Sequence, residues 1–338
     1  MPRNGLLLVA GALLTLAAAP QALAAGTAAA PAVGSKAIAV QPMTTVEGGV
    51  KSWVSLGIEQ WSGETMYQIG YPVAFDGGVE NGYFPFSELE FPLDVNMASL
   101  RVGVEFSDRI PVYATLKKPV KDPSDNMTDK DWITDSNPTR LDIYSESSIS
   151  SFDATVFDID AGYKFLRMPQ IALSAGAGYL FQKFDYDVRL LHQWSPSGLP
   201  GYDYYGDGQT ALNYEITYKV PYMQMRAEFR PIPKAEIFAR IAYSPWAAAE
   251  DHDQHFLRNK DNKGDLDGDY LNFAVEGRYE FAPRWFVSAG YEYSYLDLDG
   301  TMTAEFYGIY DHTVTEHVES HQSVFFITAG YLFGKGAN

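Results

Sequence analysis

Alternation of apolar and polar residues with a period of two runs through most of this chain and constrains its fold more than any other feature. Between positions 285 and 295 apolar side chains fall on one face and small or charged residues on the other: Trp285, Val287, Ala289, Tyr291, Tyr293 and Tyr295 against Ser288, Gly290, Glu292 and Ser294. Residues 223–230, 271–280 and 325–333 repeat the pattern. An α-helix repeats every 3.6 residues and cannot maintain this alternation, so the chain is predicted to be all-β.

The second face of these predicted strands carries charge, which distinguishes a barrel with a polar interior from a protein with a dry core. Gln224 and Arg226 share this face in one segment, and Glu276 and Arg278 share it in another. A soluble β-sandwich also alternates, but its buried inner face is apolar. The 23 Tyr and 20 Phe suit the aromatic girdles of an outer-membrane barrel. We therefore favour a transmembrane β-barrel over a soluble β-protein.

Connections of two lengths alternate along the chain and set the predicted number of strands. Short ones lie near residues 107–111, 166–169, 231–234 and 282–284, and long acidic ones near 74–84, 119–140, 191–211, 250–268 and 300–320. Four short turns and five long loops join ten strands, and an even number places both termini on the periplasmic side. The predicted fold is a ten-stranded antiparallel up-and-down transmembrane β-barrel with long extracellular loops.

The two ends of the chain are predicted to lie outside the barrel. Residues 1–24 have the pattern of a secretory signal peptide, with a basic start, an apolar run and the small-residue cleavage site Ala22-Leu23-Ala24. We expect a flexible N-terminal leader at 25–48, the barrel at 49–334 and a C-terminal tail at 335–338. Export of the chain would place the barrel in the outer membrane of a Gram-negative bacterium.

Charge limits the partners that this chain is expected to have. The formal net charge is −18, which argues against nucleic acid and favours a cationic peptide or protein. Because strands serve mainly packing and lipid, we expect the long loops at one rim to carry the function.

Two of these loops hold residues that can activate water. The second carries Asp129 and Asp131, and the fourth carries Asp253 and His255. Residues two apart point the same way in extended chain, and the two hairpins are expected on opposite walls of the barrel. Two carboxylates facing a carboxylate-backed imidazole form a plausible general-base site. A chain with 43 acidic residues also contains Asp-x-Asp by chance, so the motif alone does not establish a reaction.

At these positions the sequence resembles the omptins, a family of outer-membrane aspartyl-type endopeptidases. The resemblance runs from about residue 55 to 333 and is carried by two gapped motifs: Asp129-Lys130-Asp131-Trp132 with Ser136-Asn137-Pro138, and Ser244, Trp246, Asp251, Asp253 and His255. Tyr214, Lys219, Pro221 and Tyr222 are also spaced as in the family.

The resemblance implies peptide-bond hydrolysis without a metal or other cofactor, at a groove facing the cell exterior. It implies that Asp253 orients His255, and that His255 activates a water molecule held with Asp129 and Asp131. The chain is then expected to act as a monomer on extracellular peptides or proteins.

The sequence departs from the family pattern around the substrate and lipid sites. Omptins that cleave at basic residues use two acids, of which one matches Asp251 while the other falls at Tyr67. Glu64 is therefore a further candidate for attracting a cationic substrate. Omptins also need lipopolysaccharide as an activator. Tyr179 and Lys183 match two positions of that lipid site, while Phe181 and Thr217 replace an acid and a base.

Other functions remain open on the residues alone. A passive porin would share the barrel, although ten strands enclose little free lumen. A metal-binding surface protein is suggested by six histidines placed in predicted loops and by the acidic run Asp265-Leu266-Asp267-Gly268-Asp269: His192, His252, His255, His312, His317 and His321. That run lacks the glycine an EF-hand needs at its sixth position, so we predict no metal site. A barrel that binds proteins without cleaving them is the third alternative.

Overall fold

A computed structural model describes residues 49–75, 77–306 and 310–333 of the chain. The predicted signal peptide (1–24), leader (25–48) and tail (335–338) lie outside the described residues. Fourteen β-strands account for most of the described chain: β1 Val50–Phe75, β2 Gly78–Glu80, β3 Ser87–Pro92, β4 Asn96–Phe106, β5 Ile110–Pro119, β6 Asn126–Asp131, β7 Ile143–Arg167, β8 Ile171–Trp194, β9 Tyr204–Tyr205, β10 Leu212–Ile232, β11 Ala235–His255, β12 Lys260–Ala282, β13 Trp285–Phe306 and β14 Tyr310–Phe333. Among these residues there is no helix of the length and apolarity needed to cross a membrane.

The long strands form one closed antiparallel ring. Its neighbours in order are β1, β4, β5, β7, β8, β10, β11, β12, β13 and β14, and β14 pairs with β1 from Ser52–Phe333 to Phe75–His312. Closure satisfies the backbone donors and acceptors that an open sheet leaves unpaired at its edges. The predicted ten-stranded antiparallel up-and-down barrel is therefore confirmed.

At two of the ten positions in the ring, one short strand replaces another at the end of the barrel that bears the long connections. There β3 replaces β4 beside β1, and β6 replaces β5 beside β7, while β3 and β6 pair with each other. Residues 93–95 and 120–125 connect the lower and upper pieces. This upper rim, built from short strands, holds the Asp-x-Asp motif.

The predicted connections differ from the structure at the rim. The short turns are where they were expected, between β4 and β5, β7 and β8, β10 and β11, and β12 and β13. Most of the predicted loops 250–268 and 300–320, however, is strand, because the alternation continues through their polar residues. The six histidines also lie in β8, β11 and β14, so the prediction that they occupy loops was wrong.

An apolar band covers the outer face of the lower ring, as expected for a wall in contact with lipid. Leu56 and Ile58 of β1 and Phe325 and Ile327 of β14 are each more than 60% exposed. Tyr291, Tyr293 and Tyr295 follow on the outer face of β13, closer to the rim. Tyrosines with an apolar ring and a polar tip suit the boundary between lipid and water.

Paired charges fill the interior of the lower ring. Glu59 is fully buried, and its carboxylate accepts hydrogen bonds or ion pairs from Arg101 at 2.7 Å, Lys117 at 3.0 Å and the Trp61 indole at 3.1 Å. Glu292 joins the network through Lys117 at 3.3 Å. Arg101, Lys117 and Glu292 line a cavity of about 110 Å³, room for only a few water molecules at about 30 Å³ each.

Stacked aromatic rings fill the interior above this network. Phe91 lies 4.4 Å from Tyr214 and 5.1 Å from Tyr186 between ring centroids, and Tyr67 lies 5.1 Å from Tyr214. All four side chains are almost completely buried. The charged layer and the aromatic layer together occupy the lumen, which disfavours the porin alternative.

We predict that Glu59→Leu destabilises the barrel by about 3–5 kcal/mol, because Arg101 and Lys117 would lose their shared buried partner. The free energy of unfolding in detergent micelles, measured with urea, tests this. Asp153→Leu is the matched control, since its ion pair with Lys118 at 3.2 Å is exposed and worth at most about 1 kcal/mol. Equal losses in the two variants would contradict a special role for the interior network.

Candidate active site

Alternation along β6 directs Asp129 and Asp131 into the barrel. Lys130 lies between them and points outward, where its ammonium group contacts Glu88 at 2.8 Å and Glu90 at 2.7 Å. These ion pairs fix β6 beside β3, and residues on either side of Lys130 must face the interior. The structure thus gives the Asp-x-Asp motif the orientation that its spacing predicts.

Asp142 anchors the segment that follows the motif. Its buried carboxylate accepts hydrogen bonds from the Ile133 amide at 3.2 Å, the Arg140 guanidinium at 2.9 Å and the Ser197 hydroxyl at 2.7 Å. Burial alone would raise the pKa of Asp142, but the hydroxyl donors and Arg140 outweigh burial and lower it. An ionised Asp142 therefore connects the loop after Asp131 to the loop after β8.

Asp253 and His255 form a hydrogen-bonded dyad at the rim end of β11. The His255 Nε2 lies 2.8 Å from Asp253 Oδ2. The same carboxylate oxygen accepts the Tyr67 hydroxyl at 2.5 Å and the Asn262 amide at 3.1 Å. Three donors on one oxygen hold the carboxylate rigidly, and they direct the Nε2 proton of His255 to Asp253. Nδ1 of the neutral ring is then the nitrogen with a free lone pair.

The hydrogen-bond donors also determine the charge of this dyad. Burial would raise the pKa of Asp253, but the charge and hydrogen bond of His255 and the Tyr67 hydroxyl reverse the effect and lower it. Burial, and then the Asp253 charge, raise the pKa of Tyr67 far above its ordinary value. Tyr67 therefore stays protonated and remains a donor to an ionised Asp253.

The two motifs lie at one level of the barrel. Asp129 pairs laterally with Leu89, Leu89 pairs with Tyr67, and the Tyr67 hydroxyl reaches Asp253 on the far wall. Burial and the neighbouring Asp131 raise the pKa of Asp129 well above its ordinary value. The cations Arg258 and Lys260, from the β11–β12 hairpin, oppose this rise and are therefore close enough to interact with the acid pair. The acid pair and the Asp253–His255 dyad therefore face the same level of the barrel interior, where the Asp253 charge acts on Asp129.

Below the dyad lies a buried pair of acidic residues, of which the sequence analysis had identified only Asp251. Asp251 and Glu316 both lie against Gly264, where a Cβ atom would overlap both carboxylates. Their oxygens make no hydrogen bond of normal geometry, and neither has a Lys or Arg partner among the described residues. Burial raises the pKa of Asp251 to about 6, and burial with the Asp251 charge raises that of Glu316 well above its ordinary value.

Sequence reasoning missed several residues of this site. Glu316 comes from a strand 65 residues beyond Asp251, and only the barrel register could have brought the two together. Asn262 and Lys260 lie opposite Asp253 and His255 in β12, a pairing that the tight hairpin at 256–259 sets. A correctly placed hairpin would therefore have identified both.

The other predicted binding residues lie on the outer wall. Glu64 is exposed, because it is three positions from Tyr67 and so faces outward on β1. The structure places this carboxylate on the outer wall, and its role in attracting a cationic substrate stays a prediction. Tyr179 and Lys183 share the outer face of β8, and the Lys183 ammonium pairs with Glu215 at 2.6 Å.

Comparison with known proteins points to one family. The profile described as "Omptin family" matches residues 83–324. The chain is 25% identical to Protease 7 of Escherichia coli (strain K12) over 165 residues, covering 47% of this chain and 52% of that protein. It is 24% identical to the plasminogen activator of Yersinia pestis over 193 residues, 54% of this chain and 59% of that one. The matches thus span about half the length of these curated relatives.

A solved structure shows the same fold. The crystal structure of the outer membrane protease OmpT from Escherichia coli superposes with a TM-score of 0.68 and 17% sequence identity. The superposition covers 87% of this chain and all of that one. At this identity the similarity establishes the ten-stranded fold.

We predict that Asp129→Asn stabilises the protein at neutral pH. A raised folded-state pKa means that the folded chain binds more protons than the unfolded chain, so wild-type stability falls as pH rises above the ordinary value of 3.8. The advantage of the variant should grow from that pH and level off above the folded pKa. Urea unfolding across a pH series measures it. Asp125→Asn, an exposed change just before β6, should show no such growth.

Proposed function

The chain belongs to the omptin family, and from that premise we propose that it is an outer-membrane endopeptidase of extracellular, cationic peptides or proteins. The proposed enzyme acts as a monomer, with its site at the rim that bears the long connections and faces the cell exterior. The observation that carries the proposal is the Asp253–His255 dyad at the level of an inward-facing acid pair whose Asp129 has a raised pKa.

In the proposed mechanism, water is the nucleophile. His255 Nδ1 accepts a proton from water as the water attacks the peptide carbonyl carbon, and Asp253 stabilises the imidazolium that forms. Asp129 and Asp131 hold the same water, and the protonated carboxyl of the pair can donate a hydrogen bond to the carbonyl oxygen as negative charge develops there. The proton on the imidazolium then passes to the leaving amine. No step requires a metal or another cofactor.

The acid pair Asp251–Glu316 supports a preference for a basic side chain beside the cleaved bond. Tyr67 occupies the position where omptins that cut at basic residues have a second acid, and its hydroxyl is used by Asp253. Glu316 on β14 supplies the second carboxylate instead. It lies next to Asp251, below the Asp253–His255 dyad. An entering guanidinium or ammonium group would compensate both buried carboxylates and displace the proton they retain.

Lipopolysaccharide remains the proposed activator. Tyr179 and Lys183 present a ring and a cation on the same outer face of β8, but Glu215 already pairs with Lys183. A phosphate group would have to compete with this carboxylate, which favours weaker lipid dependence than an unpaired lysine would give.

We predict that His255→Ala and Asp129→Ala each reduce kcat/KM for peptide cleavage by at least about a hundredfold, because each removes a group that acts on the water. Mass spectrometry of a mixed peptide library measures cleavage, and heat-dependent gel mobility verifies the folded barrel. His252→Ala is the control: its imidazole also pairs with an aspartate, Asp261 at 2.7 Å, but on the outer face of β11. Wild-type turnover in both His255→Ala and Asp129→Ala would contradict the assignment.

We predict that Glu316→Gln lowers the ratio of cleavage at Arg or Lys to cleavage at neutral residues by about tenfold or more, since a buried ion pair to the substrate is lost. The wild-type ratio should increase as pH rises above about 6, where Asp251 ionises. Competing peptides that differ at one position measure the ratio. Glu250→Gln, next to Asp251 but outward and paired with Lys219 at 2.7 Å, should leave it unchanged. An unchanged ratio in Glu316→Gln would remove that residue from substrate recognition without affecting the catalytic proposal.

A further inference from the structure

A band of carboxylates crosses the outer wall of the barrel on three neighbouring strands. In one row Asp269 pairs laterally with Asp297, and Asp297 with Glu319; in the next row Asp267 pairs with Asp299, and Asp299 with His317. We call these six residues of β12, β13 and β14 the wall patch. It lies just above Tyr291, Tyr293 and Tyr295, and therefore on the solvent side of the aromatic girdle.

The wall patch is electrostatically unfavourable as it stands. Like charges directly opposite each other on neighbouring strands repel, and Asp267–Asp299 and Asp269–Asp297 are two such pairs. Within the described chain no Lys or Arg forms an ion pair with any carboxylate of the patch. Elsewhere on the outer wall lysines fill this role, as in Lys183–Glu215 and Lys219–Glu250.

Three side chains of the patch converge as metal ligands do. One atom each of Asp297, His317 and Glu319 lies within 4.8 Å of the other two. The His317 Nε2 is 3.4 Å from Glu319 Oε1. The Tyr295 hydroxyl donates to Asp297 Oδ2 at 3.4 Å and to Glu319 Oε1 at 3.2 Å, which keeps the two carboxylates together.

A second layer of contacts orients the imidazole for this role. The His317 Nδ1 lies 2.9 Å from Asp299 Oδ1 and 3.9 Å from Asp297 Oδ1, so the Nδ1 proton is donated to Asp299 and Nε2 faces Glu319. Metal-bound histidines usually donate their other ring proton to a carboxylate in this way. His321 lies on the other side, with Nε2 3.7 Å from Glu319 Oε2.

From this geometry we propose that Asp297, His317 and Glu319 bind a divalent transition-metal ion of the Zn²⁺ type on the outer wall. One imidazole nitrogen and two carboxylate oxygens are a ligand set that Zn²⁺ accepts, with a fourth position open to water or His321. The ion would neutralise the charge that the cross-strand pairs concentrate. The site is separate from the proposed catalytic residues, since Val318, between His317 and Glu319, faces the interior.

Calorimetric titration of the folded barrel in detergent with ZnCl₂ tests the proposal. We expect one Zn²⁺ per chain, binding that survives His255→Ala, and affinity lowered more than about a hundredfold in His317→Ala. Asp299→Asn should cost about 10–100-fold, as expected for an outer-shell partner. His252→Ala is the matched control, because His252 has a single carboxylate partner, Asp261, and Lys263 lies 4.0 Å from that carboxylate.

The outcomes separate the proposal from its alternatives. Unchanged Zn²⁺ affinity in His317→Ala, or loss of binding only in His255→Ala, would overturn it, the latter placing the ion in the barrel interior. Equal affinity for Ca²⁺ that is insensitive to His317→Ala would also overturn it and would indicate a diffuse carboxylate effect. Heat-dependent gel mobility of each variant establishes that the titrated chains are folded, so absent binding in folded wild-type protein would reject the site.

Discussion

Closure of the sheet through the β1–β14 pairing is the constraint on which the rest of this structure depends. In a closed ring every strand has two hydrogen-bonded neighbours. Pairing on both sides fixes the register of the strand and so determines which of its side chains face the interior. Each side chain is therefore assigned to the interior or the outer wall by its position alone. That assignment turns Asp129 and Asp131 inward, places Lys130 outside against Glu88 and Glu90, and brings Tyr67 within reach of Asp253.

Buried carboxylates have different partners at the two levels of the interior. In the lower ring buried carboxylates have cationic partners: Glu59 pairs with Arg101 and Lys117, and Glu228 pairs with Lys164 and Arg230. Near the rim Asp251 and Glu316 have none among the described residues, and the pKa of each is raised. Uncompensated buried carboxylates destabilise a fold, and a chain that can pair Glu59 so completely has the means to pair these. This contrast supports the proposal that the rim binds a cationic ligand.

The period-two pattern predicted the strands of the barrel because it depends only on neighbouring positions. The candidate active site could not be predicted in this way, because it depends on pairings between distant strands. The motifs Asp129-x-Asp131 and Asp253-x-His255 are local and could be read directly. Glu316 could not, because its proximity to Asp251 follows from the order and register of β11 to β14. Glu64 shows the limit of closeness in sequence, because an offset of three positions places it on the opposite face of β1 from Tyr67. Polar composition also led 250–268 and 300–320 to be taken as loops, although an outer-membrane barrel can extend polar strands well above the lipid.

The strand β14 contributes residues both to the proposed active site and to the proposed metal site. Glu316 faces the interior beside Asp251, and His317, a member of the wall patch, faces outward beside Asp299. Consecutive residues lie on opposite faces of a strand whose backbone is hydrogen-bonded to β1 and β13 along most of its length. The backbone is held at both edges, so an ion on the outer wall would relieve repulsion between strands without displacing Glu316. Its charge would nevertheless act through the thin wall, and it should therefore favour the ionised form of Glu316 as well as stabilise the rim.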